Sequence, residues 1–171
     1  SSARNLGIRE AQGTYLIFLD ADDELMPLAL KAFEDHIRTH PTARFVIGGH
    51  LAESPDGKRR EHIPDFLPER PQDRLKAYLL DKRITLCNGA CAMHREIFLR
   101  SNYPENFRSA EDIPVFAQAL ANYSCTIIPQ ALALIHKHPD SLRHQFNHAK
   151  NGGLTLVEEI FTERRLGTEF K

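Results

Sequence analysis

The stretch Tyr15-Leu16-Ile17-Phe18-Leu19-Asp20-Ala21-Asp22-Asp23-Glu24 decides the fold of this chain. Five large apolar residues run without a polar break, and four acidic residues follow within the next five positions. An apolar run of this length, entered through Gly13, predicts a strand that is buried on both faces, as in a parallel sheet. Carboxylates at the C-terminal end of such a strand lie where open α/β sheets bind their ligands.

The acidic cluster after the strand predicts a cation site. Like charges this dense are costly without a positive partner, and a divalent cation is the simplest one; a solvated acidic loop is the alternative. Asp20 and Asp22 are two residues apart, so they face the same side of an extended chain. Magnesium and manganese sites of this kind use one or two carboxylates and complete their shell with substrate phosphates. Asp23 and Glu24 are expected to stabilise the N-terminus of the following helix.

Length and composition indicate one soluble-type globular domain with a sizeable core. The formal net charge of −1 over 171 residues gives no global attraction to nucleic acid, so no nucleic-acid partner is expected. The three cysteines lack the spacing of a disulfide framework, which predicts buried thiols and a cytoplasmic location. No apolar run approaches the ~18 residues that span a bilayer, and the first residues do not resemble a secretory leader.

Hydrophobic periodicity predicts an alternation of helices and strands. Helices are predicted at 2–11, 26–39, 72–80, from 95, from 113 and at 153–165. Strands are predicted at 15–19, 45–47, 86–93, 126–128 and 131–135, with a hairpin formed by 50–53 and 59–63.

Two further polar sets follow apolar elements and are expected to converge with the acidic cluster in one crevice. Glu111 and Asp112 lie at the start of a predicted helix, where Asp112 is either a catalytic carboxylate or an ordinary helix cap. His136 and His138 flank Lys137 in an alternation that is also typical of an exposed strand end.

Four segments resemble family 2 glycosyltransferases of the GT-A fold. Ser2-Ala3-Arg4-Asn5-Leu6-Gly7-Ile8, with Ala11-x-Gly13-x-Tyr15 and the run to Asp23, resembles the central signature of the family. Gly89 to Phe98 resembles the next block, and Ala110-Glu111-Asp112 resembles the glutamate-aspartate motif. His136 to Leu142 resembles a late segment, with His and Asp where the family more often has Tyr and Gly. The order agrees from residue 2 to about residue 143.

The resemblance implies an inverting transferase that moves a sugar from a nucleotide donor, UDP-sugar in our expectation, to a saccharide or lipid-linked acceptor. It implies that Asp22 ligates Mn²⁺ or Mg²⁺ at the diphosphate and that Asp112 is the general base for the acceptor hydroxyl. His138, with His136 as its substitute, is implied to bind the metal or the diphosphate.

The resemblance also implies a set of binding residues. Asp20 is expected on the ribose side of the nucleotide, with Arg4 and Asn5 near the nucleotide pocket. Glu111 is expected to contact substrate, and Lys137 to add positive charge near the diphosphate.

The implied architecture is a GT-A-like mixed sheet flanked by helices. We expect a partial catalytic domain at 1–143 and a helical extension at 144–171, with the family's N-terminal nucleotide-reading strands outside this sequence. A homo-oligomer and a peripheral contact with the inner face of a membrane are left open.

Two other functions compete with this hypothesis. An apolar strand ending in Asp-x-Asp is also the nucleophile site of haloacid-dehalogenase-like phosphotransferases, although Asp23-Glu24 does not match the residues expected there. A non-catalytic nucleotide-binding or assembly module, derived from a transferase, is the second alternative.

Overall fold

The computed structural model of the protein describes residues 1–107, 109–138, 149–167 and 170. The helices are α1 (Ser2–Glu10), α2 (Ala29–Thr39), α3 (Pro71–Leu79), α4 (Ile97–Arg100), α5 (Ile113–Asn122), α6 (Ala149–Ile160) and α7 (Glu163–Leu166). The strands are β1 (Tyr15–Leu16), β2 (Glu24–Leu25), β3 (Phe45–Glu53), β4 (Arg59–His62), β5 (Cys91–His94) and β6 (Cys125–His136).

The strands form one mixed sheet in the order β1-β5-β3-β6-β2, and β4 pairs with β3 as the predicted hairpin. Strands β3 and β6 are parallel, whereas the other pairs are antiparallel. The connection between the two parallel strands runs through α3, α4 and α5. A mixed sheet flanked by helices confirms the predicted α/β class.

Strand β1 is shorter than the predicted strand, and its pairing is antiparallel and not parallel as predicted. Only Tyr15 and Leu16 are paired, and their partners on β5 run antiparallel. Leu16 is buried, but Leu19 is 43% exposed. Within the described residues β1 is an edge strand with one neighbour, but its apolar run contacts both core layers, Leu16 and Phe18 in one and Tyr15 and Ile17 in the other.

The acidic cluster is followed by a strand before the next helix begins. Glu24 and Leu25 pair with Leu134 and Ala133 of β6, and α2 begins only at Ala29. The predicted start of this helix at residue 26 is therefore wrong, as is the predicted role of Asp23 and Glu24 at its N-terminus. The pairing with β6 provides hydrogen-bond partners for the backbone of Glu24 and Leu25. In the first turn of a helix, the N–H groups of these residues would have had no partner within the helix.

Strand β6 is continuous, whereas the sequence predicts two strands split by Pro129. The split is absorbed as a shift of register opposite Gly48 and Gly49 of β3. A Cβ atom at Gly48 would lie 2.3 Å from Leu132 Cδ1 and 3.0 Å from the Ala90 carbonyl oxygen. The irregular register therefore requires glycine at this position.

The core has two layers because side chains alternate across the sheet. On one face Phe45 and Met93 pack against Phe116 and Leu120 of α5. On the other face Val46, Ala92, Ile128 and Leu132 pack against Ala29 and Phe33 of α2. Together the two layers hold the C-terminal ends of β3 and β6 and the N-terminal end of β2 at the same end of the sheet.

The C-terminal helices are fastened to α5 by a buried arginine. The Arg165 side chain is 0% exposed, and its Nη2 lies 2.6 Å from Glu159 Oε1. Arg165 also donates to Gln118 Oε1 at 3.2 Å and to the Asn102 carbonyl at 2.8 Å. Ile160 and Leu166 join the core beside α5. The division at residues 143 and 144 lies outside the described residues and stays a prediction.

The described part of the chain contains no helix with the length and apolarity needed to cross a membrane. Among the same residues no cysteine forms a disulfide, and burial raises the pKa of the Cys125 thiol to about 11.

Candidate active site

The acidic loop leaves β1 and enters β2 through a turn in which the Asp23 N–H donates to the Asp20 carbonyl at 3.1 Å. The turn gathers the carboxylates of Asp20, Asp22 and Asp23 into a small region. Burial raises the pKa of Asp23, and the charges of Asp22 and Asp20 raise it further. The backbone N–H of His136 opposes this rise by donating to Asp23 Oδ1 at 3.0 Å.

His136, the last residue of β6, lies between carboxylates of two other strands, β2 and β3. Its Nε2 lies 3.1 Å from Glu24 Oε1, and its Nδ1 lies 3.3 Å from Glu53 Oε1. The side chains of Glu24 and Glu53 therefore hold the imidazole from two sides, and its backbone fixes Asp23. His136 ties the acidic loop to the ends of β3 and β6.

His138 lies beside the predicted metal ligand. Its Nε2 is 3.5 Å from Asp22 Oδ2, and both side chains are 57% exposed. The alternation along the chain places His136 toward Glu24 and Glu53, while His138 reaches Asp22. The remainder of the late segment that resembles the family, Pro139 to Leu142, lies outside the described residues.

Arg4 of α1 joins two of the predicted motifs. Its Nη1 donates to Glu111 Oε1 at 2.6 Å, and its Nη2 donates to Asp20 Oδ1. Burial by itself would lower the pKa of Arg4, but hydrogen bonds and charge from Asp20 and Glu111 outweigh it and raise the pKa. The guanidinium is therefore a permanent cation between the two carboxylates.

Asn5, which was expected near a nucleotide, makes its contacts within the protein. It is 5% exposed, and its Nδ2 donates to the Tyr103 carbonyl and to Glu105 Oε1, each at 2.9 Å. The Tyr103 N–H donates back to Asn5 Oδ1 at 3.0 Å, and the Tyr103 hydroxyl donates to Asn88 Oδ1 at 2.9 Å. These bonds hold α1 against the 101–107 loop, and the role of Asn5 toward a nucleotide stays a prediction.

Asp112 is the N-cap residue of α5, and its backbone carbonyl accepts a hydrogen bond from the Phe116 N–H at 2.9 Å. Its side chain makes no capping hydrogen bond, which disfavours the ordinary helix cap as the reason for an aspartate here. Burial is the largest cause that raises the pKa of Tyr78 and of Tyr103, and the negative charge of Asp112 raises both pKa values further. The Asp112 carboxylate therefore lies near both phenols. Ala110, with φ of 61°, turns the chain just before this pair.

The positive charge of Lys137 acts on His62 of β4. Lys137 is exposed, its N–H donates to the Glu53 carbonyl at 2.8 Å, and its charge helps to lower the pKa of His62 on β4 after the larger effect of burial. A contact of Lys137 with a diphosphate stays a prediction.

The donor set of the acidic loop fits a divalent cation that is held jointly with a substrate. Among the described residues no three His, Cys, Asp or Glu side chains are arranged to hold a metal by themselves. Asp22 and His138 offer one oxygen and one nitrogen on an exposed surface. Hard cations of this kind bind through one or two carboxylates and take their remaining ligands from water and phosphates.

Several contacts of the site were not foreseen from the sequence. The sequence predicts Asn88 within a strand and Glu53 within a hairpin, and it assigns no role to Tyr103. No local sequence pattern predicts these contacts, because each one joins residues that are far apart in the chain. The one available signal was the polar character of Asn88 in an otherwise small and apolar segment.

Comparison with known proteins identifies a family that matches the N-terminal part of the chain. The family described as Glycosyl transferase family 2 matches residues 1–100. The uncharacterized glycosyltransferase EpsJ of Bacillus subtilis (strain 168) is 28% identical over 154 residues, which cover 83% of this chain and 43% of EpsJ.

A solved structure shares the fold. The crystal structure of S. aureus TarS 1-349 matches with a TM-score of 0.56 and 18% identity, covering 79% of this chain and 39% of that one. At this identity the likeness concerns the fold alone. The chain spans less than half the length of both relatives. The family match covers more than half of the 171 residues and contains Arg4, Asp20 and Asp22, and the chain therefore belongs to glycosyltransferase family 2.

Proposed function

We propose that this chain carries the metal-binding and base-bearing part of a glycosyltransferase that moves a sugar from a UDP-sugar to a saccharide or lipid-linked acceptor with inversion. The observation that carries the proposal is the meeting of distant motifs at one end of the strands of the sheet. Arg4 contacts both Asp20 and Glu111, and His138 lies beside Asp22.

The proposed donor site is the acidic loop. Asp20 would bind the ribose side of the nucleotide, and Asp22 with His138 would hold Mn²⁺ or Mg²⁺. A bound cation would neutralise the charge of the diphosphate leaving group. His138 is favoured over His136 as the ligand because the ring of His136 already lies between Glu24 and Glu53.

The proposed base is Asp112. Its carboxylate would take the proton of the acceptor hydroxyl as that oxygen attacks the anomeric carbon, while the bond to the nucleoside diphosphate breaks on the opposite side. Glu111, held by its ion pair with Arg4, would keep the neighbouring Asp112 in position beside the acceptor hydroxyl.

The proposal is tested with the full-length gene product. Titration calorimetry with UDP should show tighter binding in the presence of Mn²⁺, and product analysis with a panel of UDP-sugars should show transfer with inverted anomeric configuration. Nucleotide binding without any turnover would support the non-catalytic module instead. UDP binding that is indifferent to Mn²⁺ and to the Asp22→Ala substitution would contradict the proposed metal site.

The phosphotransferase alternative has lost its support, since the chain belongs to another family. We also propose a cytoplasmic location, which cell fractionation would test. The cysteine content supports this location, since none of the three cysteines forms a disulfide among the described residues.

A further inference from the structure

Arg4 uses separate nitrogens for two carboxylates that come from different segments. Nη1 serves Glu111 and Nη2 serves Asp20, and the guanidinium carbon lies 5.4 Å from the centre of the Tyr103 ring. The side chain is 18% exposed, compared with 20% for Glu111 and 46% for Asp20. Its terminal nitrogens are therefore directed at protein carboxylates and are largely shielded from solvent.

The two carboxylates depend on this cation for their closeness. Both are within hydrogen-bond reach of one guanidinium, so they would repel each other without it. A planar guanidinium presents its donors as a rigid fork, and an ammonium is a single point of charge. A lysine at this position would therefore not replace both contacts.

The helix that carries Arg4 is itself fixed against the loop that leads to Glu111. Asn5, the next residue, exchanges two hydrogen bonds with the backbone of Tyr103. The Tyr103 hydroxyl continues this connection to Asn88, which precedes Gly89 beneath Leu19. The backbone from which the Arg4 side chain extends is therefore anchored by its neighbour Asn5.

We propose that Arg4 is a positioning residue that couples the acidic loop at 20–24 to the Glu111–Asp112 pair. The coupling holds the donor-binding carboxylates at a set distance from the base. This inference rests on the proposed function for its catalytic consequence, but the coupling itself is a property of the protein without ligand.

The first experiment measures the coupling without any substrate. Urea unfolding of the full-length product is compared for Asp20→Asn, Glu111→Gln and the double variant, in the natural background and with Arg4→Met. With Arg4 present the two substitutions should be non-additive, and with Arg4→Met each should relieve repulsion and stabilise the protein. Additive losses that do not depend on Arg4 would overturn the proposal, whatever reaction the protein catalyses.

The second experiment measures the catalytic consequence. Arg4→Met should lower kcat at saturating donor by ~10–100-fold, the effect of a small misplacement of reacting groups, and Arg4→Lys should not restore it. Arg9→Met is the matched control, since Arg9 is an exposed arginine on the same helix, and its kcat should stay within about twofold.

The outcomes separate the two proposals. An unchanged kcat in folded Arg4→Met would overturn the positioning role while leaving the glycosyltransferase proposal intact. Absence of turnover in the natural protein would remove the glycosyltransferase proposal, and the unfolding cycle would then decide the coupling alone.

Discussion

The Nε2 atom of His138 lies 3.5 Å from Asp22 Oδ2, although the two residues come from opposite ends of the chain. They meet because β2 pairs antiparallel with β6, which carries the acidic loop to the end of β6. One carboxylate oxygen and one imidazole nitrogen on an open surface are suitable partners for a cation shared with a diphosphate.

This relationship predicts the metal dependence of nucleotide binding. We expect Asp22→Asn and His138→Gln each to weaken Mn²⁺-dependent UDP binding at least about tenfold, a loss that even an outer-shell partner of a metal can cause. Titration calorimetry at fixed Mn²⁺ measures the effect. Asp65→Asn, an exposed aspartate on another segment, is the control and should bind as the natural protein does. Equal affinity in all four proteins would exclude this pair as the metal site.

Replacement of the proposed base should affect turnover far more than nucleotide affinity. Asp112→Asn keeps the size of the side chain but cannot accept the acceptor's proton, so kcat should fall by ~10²–10⁴-fold. The UDP affinity should change little. Steady-state kinetics and calorimetry on the same preparation separate the two quantities. A variant that keeps its kcat would show that another group acts as the base.

The buried Arg165 predicts a large loss of stability on substitution. Arg165→Met removes a cation that is wholly shielded from solvent and leaves Glu159 without its partner. The free energy of unfolding should fall by about 3–5 kcal/mol, the range for breaking a buried ion pair from one side. Urea unfolding followed by circular dichroism gives the value. Arg164→Met is the control, because Arg164 is exposed, and a loss of similar size there would refute the explanation.

Leu28 predicts a substitution that stabilises the protein. Leu28 is the N-cap residue of α2, and its φ of 65° lies in the left-handed region. Its side chain is 80% exposed, so no side-chain packing offsets the strain of this backbone conformation. Leu28→Gly should raise the free energy of unfolding by about 0.5–1 kcal/mol, since the strain removed exceeds the entropy cost of glycine.

Leu30→Gly provides the opposite expectation for the same substitution. Leu30 is also exposed, but it has the helical backbone of the first turn of α2, where glycine should lower stability by up to about 1 kcal/mol relative to a good helix former. Thermal or urea unfolding of both variants checks the pair. A loss at both positions would show that the backbone at residue 28 carries little strain.

Three histidines predict a loss of stability in mild acid. Burial lowers the pKa of His36, His62 and His94, and nearby positive charges lower each pKa further. The unfolded chain then binds more protons than the folded one below the ordinary histidine pKa of about 6.5. Stability from these groups is therefore present above that pH and is lost as the pH falls toward the folded pKa values.

Urea midpoints at about pH 7.5 and pH 5.5 should show this loss, and His62→Gln should make it smaller. An equal acid loss in the natural protein and in His62→Gln would show that His62 does not contribute to it.

Local patterns were sufficient for most of the helices and for the motif residues. Spacing of apolar residues identified α1, α3 and α5 to within about two residues, because one buried face per helix suffices for their placement. The hairpin of β3 and β4 was likewise predicted from its turn. The acidic motif was recognisable because its residues are adjacent in sequence.

The pairing of strands was not predictable in the same way. The run from Tyr15 to Leu19 has the apolar character of a central strand, but its neighbour and direction depend on β5, which lies far along the chain. Glu24 and Leu25 could equally have started a helix, and only their bonds to β6 decided otherwise. Propensity is a weak prior where a distant partner supplies the hydrogen bonds.

By itself the sequence determined which chemical groups are present, which segments are helical, and which motifs the chain shares with its family. Only the tertiary structure decided that His136 lies between Glu24 and Glu53 while His138 faces Asp22, and that Arg4 contacts both Asp20 and Glu111. The physical reason is that periodicity reports which face of an element is buried, whereas the partner of a charged side chain depends on which distant elements the sheet brings together.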